Sequence, residues 1–315
     1  MLEDEAARAL SELDEMTAAA VLERAQPGAG PMRPSESRAI PESAPSLEMV
    51  VAEGGPPIRI RCWPPAIAAT LAAALAPLAA AGPARVCIDL FEDHAGPLLA
   101  VDGKVVHRPT TVAMGRWLLL RRLASEIAPD RRTLVCLHAA AIALPHGTVL
   151  LAGRSGSGKT TLAAGLVARG GALLADDLTP LEAGTRFAFA FPLAMSIKRG
   201  SWPVASSLFP GFGQLPEITL ASTAVRYLPS PRRVAPGIGH KVVGLLFLRY
   251  APGARASSAP VRPAAALRRL VESGTWPPVS ADDLDDFLGW LADLPIHDLV
   301  YGDLDDGIRL ASASL

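Results

Sequence analysis

Lysine and aromatic residues are both scarce in this 315-residue chain. Aromatics make up 5%, and of the 30 basic residues four are lysines (Lys104, Lys159, Lys198 and Lys241), which leaves 26 arginines. An ammonium is a compact point charge and a guanidinium a rigid planar fork, so a lysine kept in an arginine-rich chain points to a place where arginine would not serve. Cysteine is scarce too: Cys62, Cys87 and Cys136 lie far apart and fit neither a zinc-ligand pattern nor a disulfide framework. No excess of either charge exists, since the net charge is −1, which removes the global basic field that nucleic acid would need. Long apolar runs are missing as well. The 50% hydrophobic content and mean hydropathy of +0.28 come mostly from alanine. The longest alanine-rich tract, residues 65–82, is too weakly apolar and is interrupted at Pro77, so no membrane span is expected. The opening Glu3, Asp4 and Glu5 do not resemble a secretory leader, and the expectation is a cytoplasmic protein with reduced thiols.

The length suits one large domain or two ordinary ones, and the composition divides the chain into three stretches. Residues 1–47 combine an amphipathic helical pattern up to about residue 25 with a Pro-, Gly- and Ser-rich linker. Residues 48–130 read as a small α/β N-terminal unit. It has strands at 58–63, 86–90 and 98–106 (the last turning at Asp102-Gly103) and helices at 66–81, interrupted at Pro77, and at 112–127. Residues 131–315 form the third stretch. There LVCLHAAAIAL reads as one strand-like run, TVLLA as a buried strand, residues 159–169 as a helix stopped by Gly170-Gly171, and ALLA as a strand ending in Asp176-Asp177. Strand, loop, helix and strand within 30 residues is a nucleotide-binding βαβ-type unit. Further on, Ser201–Glu217 reads as a long irregular stretch and Arg226–Arg233 as a basic loop. Val242–Tyr250 reads as a central strand, with helices at 264–272 and 281–294.

The chemistry is concentrated between these strands. Gly153-Arg154-Ser155-Gly156-Ser157-Gly158-Lys159-Thr160 fits the phosphate-loop pattern G-x-x-x-x-G-K-[ST] at every fixed position. Glycines let successive N–H groups turn inward around an oxyanion, and the following helix adds the positive end of its dipole. On this reading residues 153–161, Thr161 included, bind the nucleotide, with Arg154 directed to solvent or to the nucleotide's edge. Lys159 reaches the outer phosphates and the Thr160 hydroxyl binds Mg²⁺. Asp176 and Asp177 follow a strand beside the loop, where one carboxylate can hold Mg²⁺ and the other can take the proton of an attacking hydroxyl. Asp177 is named with Thr160 as a metal ligand, while which of the two acids holds the metal and which serves as base stays open. Lys198, in Met195-Ser196-Ile197-Lys198-Arg199-Gly200-Ser201, either supplies a cation to the transferring phosphoryl group, binds the acceptor, or belongs to a solvated basic turn.

The 42 residues from Leu137 to Leu178 resemble the catalytic segment of the bacterial HPr kinase/phosphorylase family. His138, the loop 153–160, Arg169-Gly170 and Ala175-Asp176-Asp177 stand at matching positions. The resemblance implies a phosphoenolpyruvate-carboxykinase-like P-loop kinase domain and transfer of phosphate from ATP to a serine hydroxyl. It also implies that Asp176 and Asp177 activate the acceptor and bind metal, and that His138 lies near the transferred phosphate. Two features depart from it. Thr160-Thr161 replaces the family's Ser-Glu after the loop lysine, and no Leu-Glu-x-Arg-Gly-x-Gly signature follows. The chain is more similar to the HPr-kinase-related peptide serine kinases. The expectation is therefore an ATP- and Mg²⁺-dependent serine kinase acting on a peptide or small-protein acceptor, with no nucleic-acid or membrane partner; self-association into a homo-oligomer stays open. The alternatives are a small-metabolite kinase and a non-catalytic, ATP-binding regulatory or scaffold module.

Overall fold

The computed structural model describes residues 40–52, 55–220, 223–278 and 280–313. The helix expected before residue 25 and most of the expected linker lie outside the described residues.

A first sheet contains β1 (Leu47–Val51), β2 (Ile58–Cys62), β3 (Ala79–Ala80), β4 (Val86–Asp93), β5 (Gly96–Val101) and β6 (Lys104–His107), in the order β3-β1-β2-β4-β5-β6. In β2 the alternation of Ile58, Ile60 and Cys62 with Arg59 and Arg61 puts the apolar set in the core and the arginines at its margin. Arg61 binds the fully buried Asp89 of β4 through two hydrogen bonds of 2.7 and 2.9 Å, which satisfies a charge that would otherwise be costly to bury. Helices α1 (Pro65–Leu75) and α2 (Val112–Ile127) cover this sheet. The Thr111 hydroxyl caps α2 by accepting from the N–H of Met114 at 3.1 Å. The helix expected over 66–81 with an interruption at Pro77 ends at residue 75 and does not resume. A 3-10 turn over 76–78 and the short β3 follow, because Pro77 cannot donate into a continuing helix.

The second sheet is larger. Its strands are β7 (Thr133–Leu137), β8 (Ala139–Leu144), β9 (Gly147–Ala152), β10 (Ala172–Ala175), β11 (Thr179–Glu182) and β12 (Phe187–Phe189). A small separate sheet follows, made of β13 (Met195–Lys198), β14 (Ile218–Leu220) and β15 (Thr223–Leu228), and then β16 (Gly239–Tyr250), β17 (Ser257–Pro260) and β18 (Ile296–Tyr301) return to the large one. The 12-residue β16 is central. Its start pairs with β12, its middle runs parallel to β9 and its end runs parallel to β18. The parallel strands are apolar almost throughout, as strands covered on both faces must be. Helices α3 (Lys159–Ala168), α4 (Trp202–Leu208) and α7 (Leu304–Ala313) pack on one face, and α5 (Pro263–Glu272) and α6 (Ala281–Asp293) on the other. Strands β9, β16 and β18 therefore end at one edge of the sheet, where α/β folds build their ligand crevices.

Four expectations are corrected here. The run LVCLHAAAIAL is two strands, β7 and β8, which break at His138 and pair with different neighbours. Strand β10 lies beside β8 and not beside β9, so an antiparallel strand is inserted into the βαβ unit. The stretch Ser201–Glu217 is mostly helical, with α4 between two 3-10 turns, and Arg226 to Leu228 lie in β15 and not in a loop. Among the described residues no helix is long and apolar enough to cross a membrane.

The two sheets share a core. Cys136, Leu178, Phe191 and Leu193 from the second part pack with Leu71, Leu75, Leu118 and Leu123 of the first. Phe191→Ala would open a cavity in this seam and should cost about 3–5 kcal/mol in chemical denaturation. Because the seam is continuous, both sheets should unfold in one transition; two resolved transitions in the unsubstituted protein would contradict a shared core.

Candidate functional site

The loop after β9 is shaped by three glycines at positive φ: Gly153 at +142°, Gly156 at +86° and Gly158 at +96°. Two of them are fixed by close approach as well as by conformation. A Cβ on Gly153 would lie 2.7 Å from Ser157 Oγ and 3.1 Å from the Leu248 carbonyl oxygen, and one on Gly158 would collide with the Tyr301 hydroxyl. The loop is also tied to the ends of the neighbouring strands. The N–H of Tyr250 donates to the Ser157 carbonyl at 3.1 Å, and the Tyr301 hydroxyl donates to the Gly158 carbonyl at 3.3 Å. Helix α3 begins directly after Gly158 with no capping side chain and no acid in its first turn, which leaves its first N–H groups and its positive dipole end for an anion.

Two lysines meet at this loop. Lys159, almost fully buried, folds back so that its Nζ donates to the Gly153 carbonyl at 2.7 Å, and Lys198 Nζ donates to Ser155 Oγ at 2.6 Å. Burial pulls the Lys159 ammonium below its ordinary pKa, with Asp177 and Asp176 opposing the shift and Lys198 adding to it. Lys198 reaches the loop because β13 alternates: Met195 and Ile197 enter the core, while Ser196 and Lys198 face the site. Arg154, Ser155 and Gly156 are exposed at the loop's tip, and the buried Ser157 Oγ has no hydrogen-bond partner among the described residues. Thr161 turns away towards the start of α4, sharing a 2.7 Å hydrogen bond with Ser201 Oγ.

The two acids leave β10 in a tight turn. Asp177 has φ +62°, rare for a residue with a side chain, and the turn is closed by the Leu178 N–H donating to the Asp176 carbonyl at 2.8 Å. The turn sends the two carboxylates to different partners. Asp176, 3% exposed, accepts from Thr160 Oγ1 at 3.4 Å and from the Ser196 N–H at 3.1 Å, whereas Asp177 accepts from Ser196 Oγ at 3.4 Å. Of the two acids, the one that touches Thr160 is thus Asp176. Burial, reinforced by the neighbouring Asp177 charge, lifts the Asp176 carboxyl well above the usual carboxylate range. A hydroxyl and one carboxylate are the protein ligands that Mg²⁺ takes when phosphates and water complete its octahedron. Thr160 and Asp176 fit that role.

His138 sits at the break between β7 and β8, its N–H bound to the buried Thr275 hydroxyl at 3.0 Å. Burial lowers its pKa; Asp177 counters the shift, and Lys159 and Lys198 add to it, so the ring senses all three groups. His138, Lys159, Lys198, Asp176, Asp177 and Thr160 are therefore brought together around the loop. Ser196, which binds both acids, was not singled out by the sequence reading, nor were Thr275, Tyr250 and Tyr301. Ser196 was legible in principle from the two-residue alternation of β13. The others depend on tertiary packing. A groove of about 630 Å³, lined among others by Phe187, Lys241 and Trp290, opens at the opposite end of β16 and takes no part in this cluster.

Because the folded state raises the Asp176 pKa, ionised Asp176 costs stability at high pH, and the cost disappears as pH falls below the unfolded value of about 3.9. Asp176→Asn keeps the acceptor for the Ser196 N–H, and the Thr160 hydroxyl can rotate to accept from the new amide. In metal-free buffer this variant should melt about 2–4 °C higher at pH 8, with the gain shrinking towards pH 4; a lower melting temperature at pH 8 would overturn this electrostatic assignment.

No protein-family profile matches the chain, and no curated protein does. Among solved structures, the Hpr(Ser) kinase/phosphatase from Coxiella burnetii is similar to 56% of this chain over 91% of its own length, with 13% identity and a TM-score of 0.27.

Proposed function

We propose that this protein is an ATP- and Mg²⁺-dependent kinase that transfers the γ-phosphate to a serine hydroxyl of a peptide or small protein. The observation that carries the proposal is one cluster. In it a glycine-shaped phosphate loop with two lysines faces a paired carboxylate turn, and Thr160 and Asp176 already touch. The resemblance of residues 137–178 to HPr kinases supports the serine acceptor and a phosphoenolpyruvate-carboxykinase-like P-loop fold.

In this reading the N–H groups of residues 154–160 and the α3 dipole bind the phosphates, with Arg154 and Ser155 at the outer edge and Thr161 supporting the helix start. Thr160 and Asp176 would hold Mg²⁺, which supplies charge neutralisation at the β- and γ-phosphates. Asp177 takes the proton of the acceptor hydroxyl. Its placement on a strained turn, away from the Thr160–Asp176 contact, leaves it free for that role. Lys159 and Lys198 stabilise the charge that spreads over the transferring phosphoryl oxygens, each exchanging an oxygen of the loop for one of the phosphate. His138, within electrostatic reach of Asp177, would orient that carboxylate or the acceptor. A second reading, a regulatory ATP-binding module, is favoured by one observation: at Thr161, in place of the Glu of HPr kinases, the side chain is committed to Ser201.

The test is transfer of label from [γ-³²P]ATP with Mg²⁺ to peptides and proteins in a lysate of the protein's own cells, followed by mass spectrometry of the product. Phosphoserine on a defined acceptor is expected, and Lys159→Ala should abolish it. Asp177→Asn should lower kcat by about 10²–10⁴ while ATP still binds, and Lys198→Met should lower it by about 10²–10³. ATP binding with no acceptor labelled would favour the regulatory module. A labelled metabolite in place of a peptide would move the assignment to a small-molecule kinase.

A further inference from the structure

Tyr250 is 48% exposed at the end of β16, one residue (the exposed Arg249) beyond the buried run Leu245, Leu246, Phe247 and Leu248. Its backbone is fixed from two sides. The Tyr250 N–H donates to the Ser157 carbonyl at 3.1 Å, and the next residue, Ala251, donates to the Tyr301 carbonyl at 2.9 Å. The ring leans on Tyr301, with centroids 5.6 Å apart at 54°, and Tyr301 in turn is bonded to Gly158. An aromatic ring is thus held rigidly, half in solvent, at the carboxyl edge of β16 next to the phosphate loop. Core packing does not account for the half-exposed ring: against Gly158 it is the Tyr301 hydroxyl that makes the closest approach, and Tyr250 meets it only through Cβ.

We propose that Tyr250 is the platform on which the base of the bound nucleoside triphosphate stacks. The inference rests on the phosphate-loop reading above. If the phosphates lie on the N–H groups of residues 154–160, the base is carried out to the rim of the crevice formed by the ends of β9, β16 and β18, where Tyr250 stands. Every nucleobase has a planar π-face, and a ring pinned through its backbone and its neighbour loses little freedom on stacking.

The experiment compares Mg·ATP with Mg·tripolyphosphate, which keeps the phosphates and lacks the base, by calorimetry on the full chain. In the unsubstituted protein ATP should bind about tenfold or more tightly than tripolyphosphate. Tyr250→Ala should remove that advantage and leave tripolyphosphate binding unchanged, while Tyr250→Phe, which keeps the ring, should retain it. ATP affinity unchanged in Tyr250→Ala, equal loss for both ligands, or a loss in Tyr250→Phe as large as in Tyr250→Ala would each overturn the stacking role. Failure of the unsubstituted protein to bind either ligand would overturn the phosphate-loop reading itself.

Discussion

The site depends on one buried carboxylate. Asp176 ends β10, accepts from Thr160 at the start of α3 and from the Ser196 N–H in β13, and so ties three separate elements at one point. A carboxylate placed there, next to a second one, is electrostatically unfavourable until a cation or a proton joins it. Its raised pKa expresses that deficit. The fold tolerates the deficit because the two hydrogen bonds satisfy the oxygens and because Lys159 lies within electrostatic reach. A bound cation would relieve that deficit, and a site that carries it gives up stability, as functional sites do.

The remaining geometry follows from how the chain reaches and leaves Asp176. The positive φ of Asp177 turns the second carboxylate away from Thr160, so adjacent residues in sequence face different partners. The alternation of β13 then carries Ser196 to the acids and Lys198 to the loop, while Met195 and Ile197 anchor the strand in the core. Both lysines are already bonded to oxygens of the loop, which holds their charges near the position where an anion would need them. On the other side, Tyr250 and Tyr301 fasten the loop to the ends of β16 and β18, so that the loop is braced against the rigid centre of the sheet.

How much of this was legible in the sequence depended on the range of the interactions involved. The loop, α3 and its Gly170-Gly171 stop, the Asp102-Gly103 turn and the β16 run are set by local conformational demands, and residue types report those directly. The break at His138 was not legible, because Leu137 and Ala139 are equally apolar and what separates β7 from β8 is the choice of pairing partners, β11 for one and β9 for the other. The helix in Ser201–Glu217 was hidden by Pro203, Pro210, Pro216 and two glycines, Gly211 and Gly213. Pro203 sits in the first turn of α4, where a missing N–H costs nothing. Lysine scarcity drew attention to Lys159 and Lys198, and the structure brings both to the loop. Which acid meets Thr160 was beyond the sequence, since it depends on a left-handed residue that no pattern announces.

A structure of the protein with Mg²⁺ and a non-hydrolysable ATP analogue tests the central claim most directly. The account requires the metal to be bound by Thr160 and Asp176, with the γ-phosphate contacting Lys198 and facing the Asp177 carboxylate. A metal held by Asp177 instead, or phosphates bound away from the N–H groups of residues 154–160, would contradict it.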